Sequence, residues 1–519
     1  MNYKNKMLYI IHNHHKVISI KHNEEELLLP FVVKPIALVV KKLALQFPDE
    51  CLLWCHEKLA SNINKSQLEK LFHHQKIMCS FDPSVGYWPA MVGYVEDSPF
   101  LKINKEVQYP TWQMSGWIGG IHTSVINALL PYLKTENDFT YFLSSLAKKA
   151  MPLGLLCYST PLLLKENVKI KQEQANVNTV YKFVKQHYKS RWIFLLLLNR
   201  WLYEQKWDVI PFLKSLFYRK ITYSSKALDQ INVNSSHKLI KEATLDVIIP
   251  TIGRKAYLYD VLKDLAKQTK LPENVIIIEQ NPNTDSLSEL DYLTTETWPF
   301  NIKHQFIHQT GACYARNLAL QQVASEWVFL ADDDNRISED VIEKIFYHIK
   351  KYGVEVITTK YIQQNETSLS NTIISWPTFG AGNSFMKSNL FRKVSFNEAY
   401  EFGYGEDADF GMQLRNIGQD ILYVPDPAIV HLKAPIGGFR TKPTLAWQED
   451  TILPKPSPTV MLFKLLHQTE QQLKGYKTIL FMKYYFQQPI KNPIKYYKNF
   501  QQQWEQSIYW AQELRKQMK

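Results

Sequence analysis

Cysteine is scarce in this chain of 519 residues, and long hydrophobic runs are missing. The longest apolar run extends only from Trp192 to Leu198, far short of the ~20 residues that a membrane helix needs. The N-terminal residues lack the apolar core and cleavage site of a signal peptide. Five scattered cysteines favour reduced thiols over a disulfide framework, which predicts a cytoplasmic globular protein. They are Cys51, Cys55, Cys79, Cys157 and Cys313.

The formal net charge of +12 is concentrated near the C-terminus. From Thr451 onward there are 11 Lys or Arg and 3 Glu, a difference of +8. The same tail has 12 aromatic residues from Met461 onward. Such a mixture suits peripheral contact with an anionic inner membrane leaflet, and a helical extension that packs its aromatics internally is the alternative. Because the centre is closer to neutral, we expect no nucleic-acid binding.

Strands and helices alternate along the chain from Leu245. Apolar strands such as L-D-V-I-I-P, N-V-I-I-I-E and W-V-F-L are separated by helical segments, which is typical of a doubly wound, mostly parallel, Rossmann-like α/β sheet. Ligands of such sheets bind beyond the carboxyl ends of the strands. We therefore expect three polar segments to meet at one edge, namely Pro250–Thr251, Glu279–Gln280 and Asp332–Asp334.

The length predicts more than one hydrophobic core. The expected segments are a smaller degenerate α/β domain at 1–165, a helical linker at 166–241, the central domain at 242–440 and a basic aromatic helical tail at 441–519. The apolar part of the linker around Trp201 and Trp207 is interpreted as domain-packing core, with an interfacial helix as the alternative.

The N-terminal segment echoes the central one in the same order. D-E-C-L-L-W-C-H-E-K-L resembles S-E-W-V-F-L-A-D-D-D-N and places His56 opposite Asp332. S-G-W-I-G-G-I-H-T-S resembles F-G-A-G-N-S-F-M-K-S, and a later match places Asn137 opposite Asp407. We interpret the segment as a shortened copy without the acids, and a chance likeness of two α/β segments is the alternative.

Three consecutive carboxylates follow the apolar strand W-V-F-L-A. Like charges at a sheet edge cost free energy unless a cation neutralises them, and oxygen ligands suit Mg²⁺ or Mn²⁺. Asp334 is the first candidate for a metal ligand, and Asp332 and Asp333 stand beside it. A cluster that caps the following helix is the alternative.

A second acidic motif, G-Y-G-E-D-A-D-F-G, occupies residues 403–411. Its glycines let the chain turn sharply into a helix. Asp407 opens that helix, where the dipole favours an ionised carboxylate that can accept a proton from a hydroxyl. Glu406 and Asp409 would position an acceptor or the loop, and an ordinary helix start is the alternative.

Seven motifs in order make residues 245–435 resemble a family 2 glycosyltransferase domain of the GT-A type. They are I-I-P-T-I-G-R, N-T-D, G-A-C-Y-A-R-N-L-A-L, F-L-A-D-D-D-N, F-G-A-G-N-S-F-M, G-E-D-A-D-F-G-M-Q-L-R-N-I-G and V-P-D-P-A-I-V-H. The resemblance implies inverting transfer of a sugar from a nucleotide-diphosphate donor, with UDP expected, to a glycan or lipid-linked hydroxyl, as in surface polysaccharide synthesis. It also implies Mn²⁺ or Mg²⁺ as cofactor.

The resemblance assigns roles residue by residue. Nucleotide contacts are implied for Pro250, Thr251, Arg254, Glu279, Asp285, Arg316, Asp332 and Asp333. Asp334, Asp332 and His431 would hold the metal, and Asp407, assisted by Glu406, would be the catalytic base. Gly380, Gly382, Asn383 and Asp409 would lie at the donor sugar and acceptor.

Some positions depart from the family pattern. Glu279 stands where the family usually has Asp, and Ala331 stands where many members have a first acid. His431 matches a position that reaches the cation in some relatives, and a structural histidine is the alternative. Beyond it, Lys433, Gly437, Gly438 and Arg440 resemble a mobile loop that closes over a diphosphate.

Two other classes of protein stay open for this chain. A sugar-phosphate nucleotidyltransferase also joins an α/β sheet to acidic metal ligands, but P-T-I-G-R-K-A is a poor version of the basic, glycine-rich loop that it needs. A non-catalytic binding module suits the N-terminal copy better than the centre, where the acids are present.

Overall fold

The computed structural model describes residues 7–23, 25–27, 35–166, 168–171, 174–363, 370–435 and 443–518. The chain forms two compact units. The first comprises Met1–His237, Lys351–Gly353 and Thr469–Thr478, and the second comprises Lys238–Lys350, Val354–Gln468 and Ile479–Lys519. Within the described ranges, none of the helices combines the length and apolar character needed to cross a bilayer.

The first unit is built on a sheet with helices packed against it. Its strands are β1 (Met7–His12), β2 (Val17–His22), β3 (Glu25–Glu26), β4 (Cys51–His56), β5 (Ile77–Phe81), β6 (Tyr109–Pro110), β7 (Ile118–His122) and β8 (Leu156–Ser159). Its helices are α1 (Ile36–Gln46), α2 (Leu68–Leu71), α3 (Thr123–Leu129), α4 (Phe139–Ala150), α5 (Val177–His187), α6 (Arg191–Glu204) and α7 (Val209–Ser215). The strand order is β3-β2-β1-β4-β7-β5-β8-β6.

Helices α5 and α6 contribute to the core of this unit. Val180 and Phe183 of α5 and Ile193 and Leu196 of α6 are fully buried in the same apolar cluster as the strand residue Trp54. Most of the segment 166–241, predicted to be a linker, therefore belongs to the first unit, which extends to His237.

The second unit has its own sheet. Its strands are β9 (Leu245–Thr251), β10 (Asn274–Gln280), β11 (Asn301–Ile307), β12 (Trp327–Ala331), β13 (Asn335–Arg336), β14 (Val356–Gln363), β15 (Ile374–Ser375), β16 (Asn383–Lys387) and β17 (Leu422–His431). The helices between them are α8 (Lys255–Ala266), α9 (Tyr292–Thr295), α10 (Ala312–Leu320), α11 (Val341–Tyr352) and α12 (Glu406–Asn416). The strand order is β11-β10-β9-β12-β16-β14-β17-β13, and β15 pairs with β17.

The predicted α/β class is confirmed, and the sheet is mixed rather than wholly parallel. Strands β11, β10, β9 and β12 run parallel, and β16 runs antiparallel between β12 and β14. Every residue of β12 is buried, as expected for a strand covered on both faces. Thr251 pairs with Glu279, and Ile248 pairs with Leu330. The last residues of β9 and β10 and the acids that follow β12 therefore lie at the same edge of the sheet, as predicted.

The two sheets share one order of strand pairing. In the first sheet, β1 is parallel to β4, β4 antiparallel to β7, β7 antiparallel to β5, β5 parallel to β8, and β8 antiparallel to β6. In the second sheet, the strands β9, β12, β16, β14, β17 and β15 follow one another with the same sequence of parallel and antiparallel pairings. On the other side, β1 pairs with β2 in an antiparallel hairpin where β9 has the parallel β10. This agreement supports our proposal that the N-terminal domain is a shortened copy.

One pairing in the sequence alignment needs correction. Gly116 N–H donates to Thr140 Oγ1 at 3.2 Å, and Ala381 N–H donates to Asp407 Oδ1 at the same distance. Gly116 and Ala381 each lie two residues before the first strand residue of β7 and β16. If the two domains are copies, these bonds make Thr140 rather than Asn137 the counterpart of Asp407, because α4 begins at Phe139, three residues after the position that the alignment matched to the start of α12.

The tail is helical, as predicted. Its helices are α13 (Pro458–His467), α14 (Glu470–Tyr485) and α15 (Pro493–Lys516). Tyr496 and Phe500 of α15 are fully buried and Trp504 is nearly so, whereas Phe486 and Tyr509 are exposed. Much of the aromatic content of the tail thus packs internally, which was the alternative to membrane contact.

Candidate active site

The three acids that follow β12 diverge, and each has different partners. The side chain of Asp333 is buried, accepts a hydrogen bond from Thr251 Oγ1 at 2.7 Å and pairs with Arg254 Nη1 at 2.7 Å. Burial raises the pKa of Asp333 to about 6 although the Arg254 guanidinium opposes the rise. Asp333 therefore holds the connection between β9 and α8 in place through Thr251 and Arg254. Both of these residues were predicted to contact the nucleotide.

Asp334 faces His431. Asn335 pairs with His431 across β13 and β17, and Ala434 N–H donates to Asp334 Oδ2 at 2.9 Å. His431 Nε2 lies 3.3 Å from Asp334 Oδ1. Burial would raise the pKa of Asp334, but His431, the Ala434 N–H and Arg254 hold it below its ordinary value. An ionised carboxylate is the form that binds a cation.

The predicted metal ligands come together. Ligand atoms of Asp332, Asp334 and His431 all lie within 4.8 Å of one another. Among the described residues, no well-aligned hydrogen bond reaches the buried Oδ1 of Asp334, so one ligand oxygen is left for a cation. Two carboxylates and an imidazole suit Mn²⁺ or Mg²⁺, and the residues present therefore fit the metal that the family resemblance implies.

Asp332 joins the metal cluster to the second acidic motif. Its Oδ1 accepts a hydrogen bond from Arg316 Nη2 at 2.9 Å, and its Oδ2 accepts one from the Tyr361 hydroxyl at 3.0 Å. Tyr361 also stacks on His431 with ring centroids 4.7 Å apart. A methyl group on the buried Gly382 would overlap Oδ2 of Asp332, so alanine at this position would force the Asp332 carboxylate to move.

Asp407 and Glu406 occupy the first turn of α12. Burial raises the pKa of Asp407 to about 7, and the neighbouring Glu406 adds to the rise while Arg316 opposes it. Burial likewise raises the pKa of Glu406. Arg316 is itself buried and interacts electrostatically with Asp332, Asp407 and Glu406. A carboxyl poised near neutral pH is suited to proton transfer.

Other predicted residues support the site from within the fold. The Asn383 side-chain amide donates to Thr359 O at 2.6 Å, and a methyl group on Gly380 would overlap Asn383 Oδ1. Asp409 is buried and contacts His467 Nε2 at 2.7 Å and Gln413 Nε2 at 2.8 Å. Their direct contact with a sugar stays a prediction, since these bonds also serve the packing of the loop.

The predicted nucleotide residues differ in exposure. Glu279 accepts hydrogen bonds from Ser288 Oγ at 2.5 Å and Glu289 N–H at 3.2 Å, and it lies 2.9 Å from His304 Nε2. Pro250 is half-buried in β9, and Asp285 is exposed in the loop after β10. Of the predicted closing loop, Lys433 is described, whereas Gly437, Gly438 and Arg440 lie outside the described residues.

Two residues of the site were missed by the sequence reasoning. Tyr361 contacts Asp332, and its hydroxyl lies 2.7 Å from Asn335 Oδ1. Asn335 Nδ2 also donates to Gly382 O at 2.7 Å. Because Asn335 directly follows the three acids in the sequence, its position could have identified it as a residue of the site. Tyr361 gives no motif signal, because only the pairing of β14 with β17 brings it beside His431.

Residues 246–407 match the model of the family described as Glycosyl transferase family 2. A relative, "Glycosyltransferase GlyG" of Streptococcus pneumoniae serotype 4, is 18% identical over 239 residues, which cover 40% of this chain and 77% of that protein.

Similar solved structures include S. aureus TarS 1–349, with 20% identity and a TM-score of 0.31 over 36% of this chain and 60% of that one. TarS 1–349 in complex with UDP-GlcNAc is 17% identical with a TM-score of 0.34, over 48% of this chain and 74% of that one. At these scores the likeness says nothing about the substrate of this chain.

Proposed function

We propose that the chain, whose residues 246–407 match the model of Glycosyl transferase family 2, catalyses metal-dependent, inverting transfer of a sugar from a nucleotide-diphosphate donor. The observation that carries the proposal is the position of Arg316, which donates a hydrogen bond to Asp332 at 2.9 Å and interacts electrostatically with Asp407 and Glu406. One buried guanidinium would thus link the proposed cation site to the proposed proton acceptor.

Asp332, Asp334 and His431 would hold Mn²⁺ or Mg²⁺. When bound, the cation orients the donor diphosphate and neutralises the charge that develops on it as the glycosidic bond breaks. Arg254, which lies 3.2 Å from Asp334 Oδ2, would turn toward the diphosphate. Arg316 holds Asp332 in place and balances the negative charge of the α12 carboxyls.

In the transfer step, the acceptor hydroxyl oxygen attacks the anomeric carbon of the donor and the nucleoside diphosphate leaves from the opposite face. Asp407 accepts the hydroxyl proton, so its ionised form is required. The Ala381 N–H holds the carboxylate through Oδ1, which leaves Oδ2 for the proton. Single displacement of this kind inverts the configuration of the anomeric carbon.

For the donor we propose a UDP-sugar, which rests on the family resemblance, and for the acceptor a hydroxyl of a glycan or lipid-linked glycan. Thr251, Arg254 and Glu279 would lie along the nucleotide. Glu279 is already bonded to Ser288 and His304, so we assign it to shaping the base pocket. We further propose that the enzyme works in the cytoplasm, and that the N-terminal copy, with His56 and Thr140 at the acidic positions, has no transferase activity.

Asp334→Ala and Asp407→Asn test the proposal. Both variants should keep the fold and lose transfer, but calorimetry should show weaker Mn²⁺-dependent UDP binding for Asp334→Ala alone. Equal UDP affinity with and without Mn²⁺ in the unsubstituted protein would remove the metal assignment. Thermal stabilisation by UDP-, GDP- and dTDP-sugars with Mn²⁺ identifies the donor. Release of pyrophosphate from a nucleoside triphosphate and a sugar phosphate would identify a nucleotidyltransferase instead.

A further inference from the structure

Helices α6 and α7 of the first unit present an unusual surface. Six large apolar or aromatic side chains on or beside them are 43–88% exposed: Phe194, Trp201, Trp207, Ile210, Leu213 and Phe217. We call this the α6–α7 surface. Trp207 is 71% exposed and Phe217 is 88% exposed. Single exposed apolar residues are normal on a soluble protein, but a cluster of them marks an interaction site. The sequence had been interpreted as packing core here, and that interpretation is wrong for these six residues.

The exposed residues form a continuous surface rather than scattered points. The Trp201 and Trp207 rings lie 5.4 Å apart across the loop between the two helices. Phe194 of α6 lies 5.0 Å from the Phe212 ring of α7. The buried side of α6, which includes Ile193 and Leu196, anchors the helix to the core of the unit, so the outward side is left without a partner within the described chain.

The charges around this surface are of one sign. Arg191, Lys206, Lys214, Arg219 and Lys220 are exposed. Between residues 191 and 220, all of which the structure describes, the acids are Glu204 and Asp208. Both are half-buried and pair with Arg200. The free charge that accompanies the apolar side chains is therefore positive.

We propose that the α6–α7 surface docks onto an anionic lipid bilayer. Exposed Trp and Phe side chains insert at the depth of the headgroups, and surrounding Lys and Arg side chains pair with anionic lipids. Because the inner side of α6 is buried in the core of the unit, the contact is interfacial. A second copy of the chain is a poorer occupant, because a two-fold contact through this surface would bring the cations of both copies together.

This inference is independent of the transferase proposal, since none of the site residues lies on α6 or α7. It also differs from the expectation that the C-terminal tail contacts the membrane. Both segments carry exposed aromatics and excess positive charge, so each provides a matched control for the other.

Flotation of the full chain with vesicles tests the proposal. The protein should float with phosphatidylcholine vesicles that contain phosphatidylglycerol and stay largely unbound with phosphatidylcholine alone. Trp207→Ala combined with Phe217→Ala should lower the partition coefficient at least roughly tenfold. Lys214→Gln with Lys220→Gln should lower it about fivefold per lysine. The matched tail variant, Phe486→Ala with Tyr509→Ala, should bind as the unsubstituted protein does.

Folding and donor binding serve as internal checks, because the substituted side chains are exposed and lie outside the transferase site. The melting temperature and UDP affinity should be unchanged in each variant. Failure to bind anionic vesicles, or loss of binding only in the tail variant, would overturn the proposal. So would dimerisation in sedimentation velocity that the Trp207 and Phe217 substitutions abolish, because it would identify the surface as an interface between copies.

Discussion

Replacement of Asp407 by Asn should abolish transfer and yet stabilise the second unit, by an amount that depends on pH. The pKa of Asp407 is raised to about 7 by burial and by Glu406, against about 3.9 in an unfolded chain. Between about pH 4 and pH 7 the native carboxyl keeps a proton that the unfolded chain has lost, so the free energy of unfolding falls as pH rises. The total loss is about 4 kcal/mol.

Asn has no proton to lose, so the variant escapes this loss. In metal-free buffer, the unfolding free energy of Asp407→Asn minus that of the unsubstituted protein should grow by about 4 kcal/mol from pH 4 to pH 8. Catalysis should fall by roughly 10²- to 10⁴-fold, the usual contribution of a general base. Because the two units need not unfold together, hydrogen exchange in peptides from β12 and α12 is the appropriate measurement.

Asp409→Asn is the matched control. Asp409 lies on the same helix, but its carboxylate accepts hydrogen bonds from His467 and Gln413, so its amide variant should be less stable than the unsubstituted protein rather than more stable. Parallel stability curves for Asp407→Asn and the unsubstituted protein between pH 4 and pH 8 would refute the assignment of a raised pKa to Asp407. A stable variant that retains transfer would refute its role as base.

Three further substitutions test the architecture around the acids. Gly382→Ala should displace Asp332, because the added methyl group overlaps its carboxylate; an unfolding free energy lower by about 1–3 kcal/mol and weaker Mn²⁺ binding in calorimetry are expected, and unchanged Mn²⁺ affinity would contradict it. His431→Ala should weaken Mn²⁺ binding by about 10- to 100-fold with little change in melting temperature, whereas unaltered affinity would make it a structural histidine. Glu279→Gln should lower the free energy of unfolding by about 1–3 kcal/mol, because it removes the charge from the hydrogen bonds to Ser288, Glu289 and His304. It should also raise the KM for the donor more than it changes kcat. A variant as stable as the unsubstituted protein would show that those bonds contribute nothing to stability.

The place of the acids after β12 was predictable because the alternation of apolar strands and helices predicts parallel strands whose carboxyl ends share one edge. W-V-F-L-A had to be a buried strand, and its carboxyl end had to place Asp332 and Asp334 at the ligand edge. His431 was predictable from its motif alone. Tyr361 was not, because its role depends on the pairing of Gln363 with His431, a register that no local pattern specifies.

The first unit shows where sequence reasoning fails in physical terms. The strand likeness of β4 and β12 was visible, since both are short apolar runs. The later match set Asn137 opposite Asp407 because it aligned the E-N-D and E-D-A-D letters, whereas α4 begins only after its capping residue Asp138. The apolar run of α6 predicted burial correctly for one side only, since a helix that is apolar all round does not reveal which side meets the core.

The two acidic motifs are electrostatically coupled, and the coupling makes a prediction of its own. Asp332 is one of the charges that raise the pKa of Asp407, and the same Asp332 belongs to the metal cluster. A divalent cation at that cluster would cancel the effect of Asp332 and lower the pKa of Asp407, so the base would ionise more readily in the loaded enzyme. The difference in stability between Asp407→Asn and the unsubstituted protein should therefore shrink when Mn²⁺ is added at pH 7. If the difference is the same with Mn²⁺ and with a chelator, then the two motifs are not coupled through Asp332 and the charge balance around Arg316 must be explained in another way.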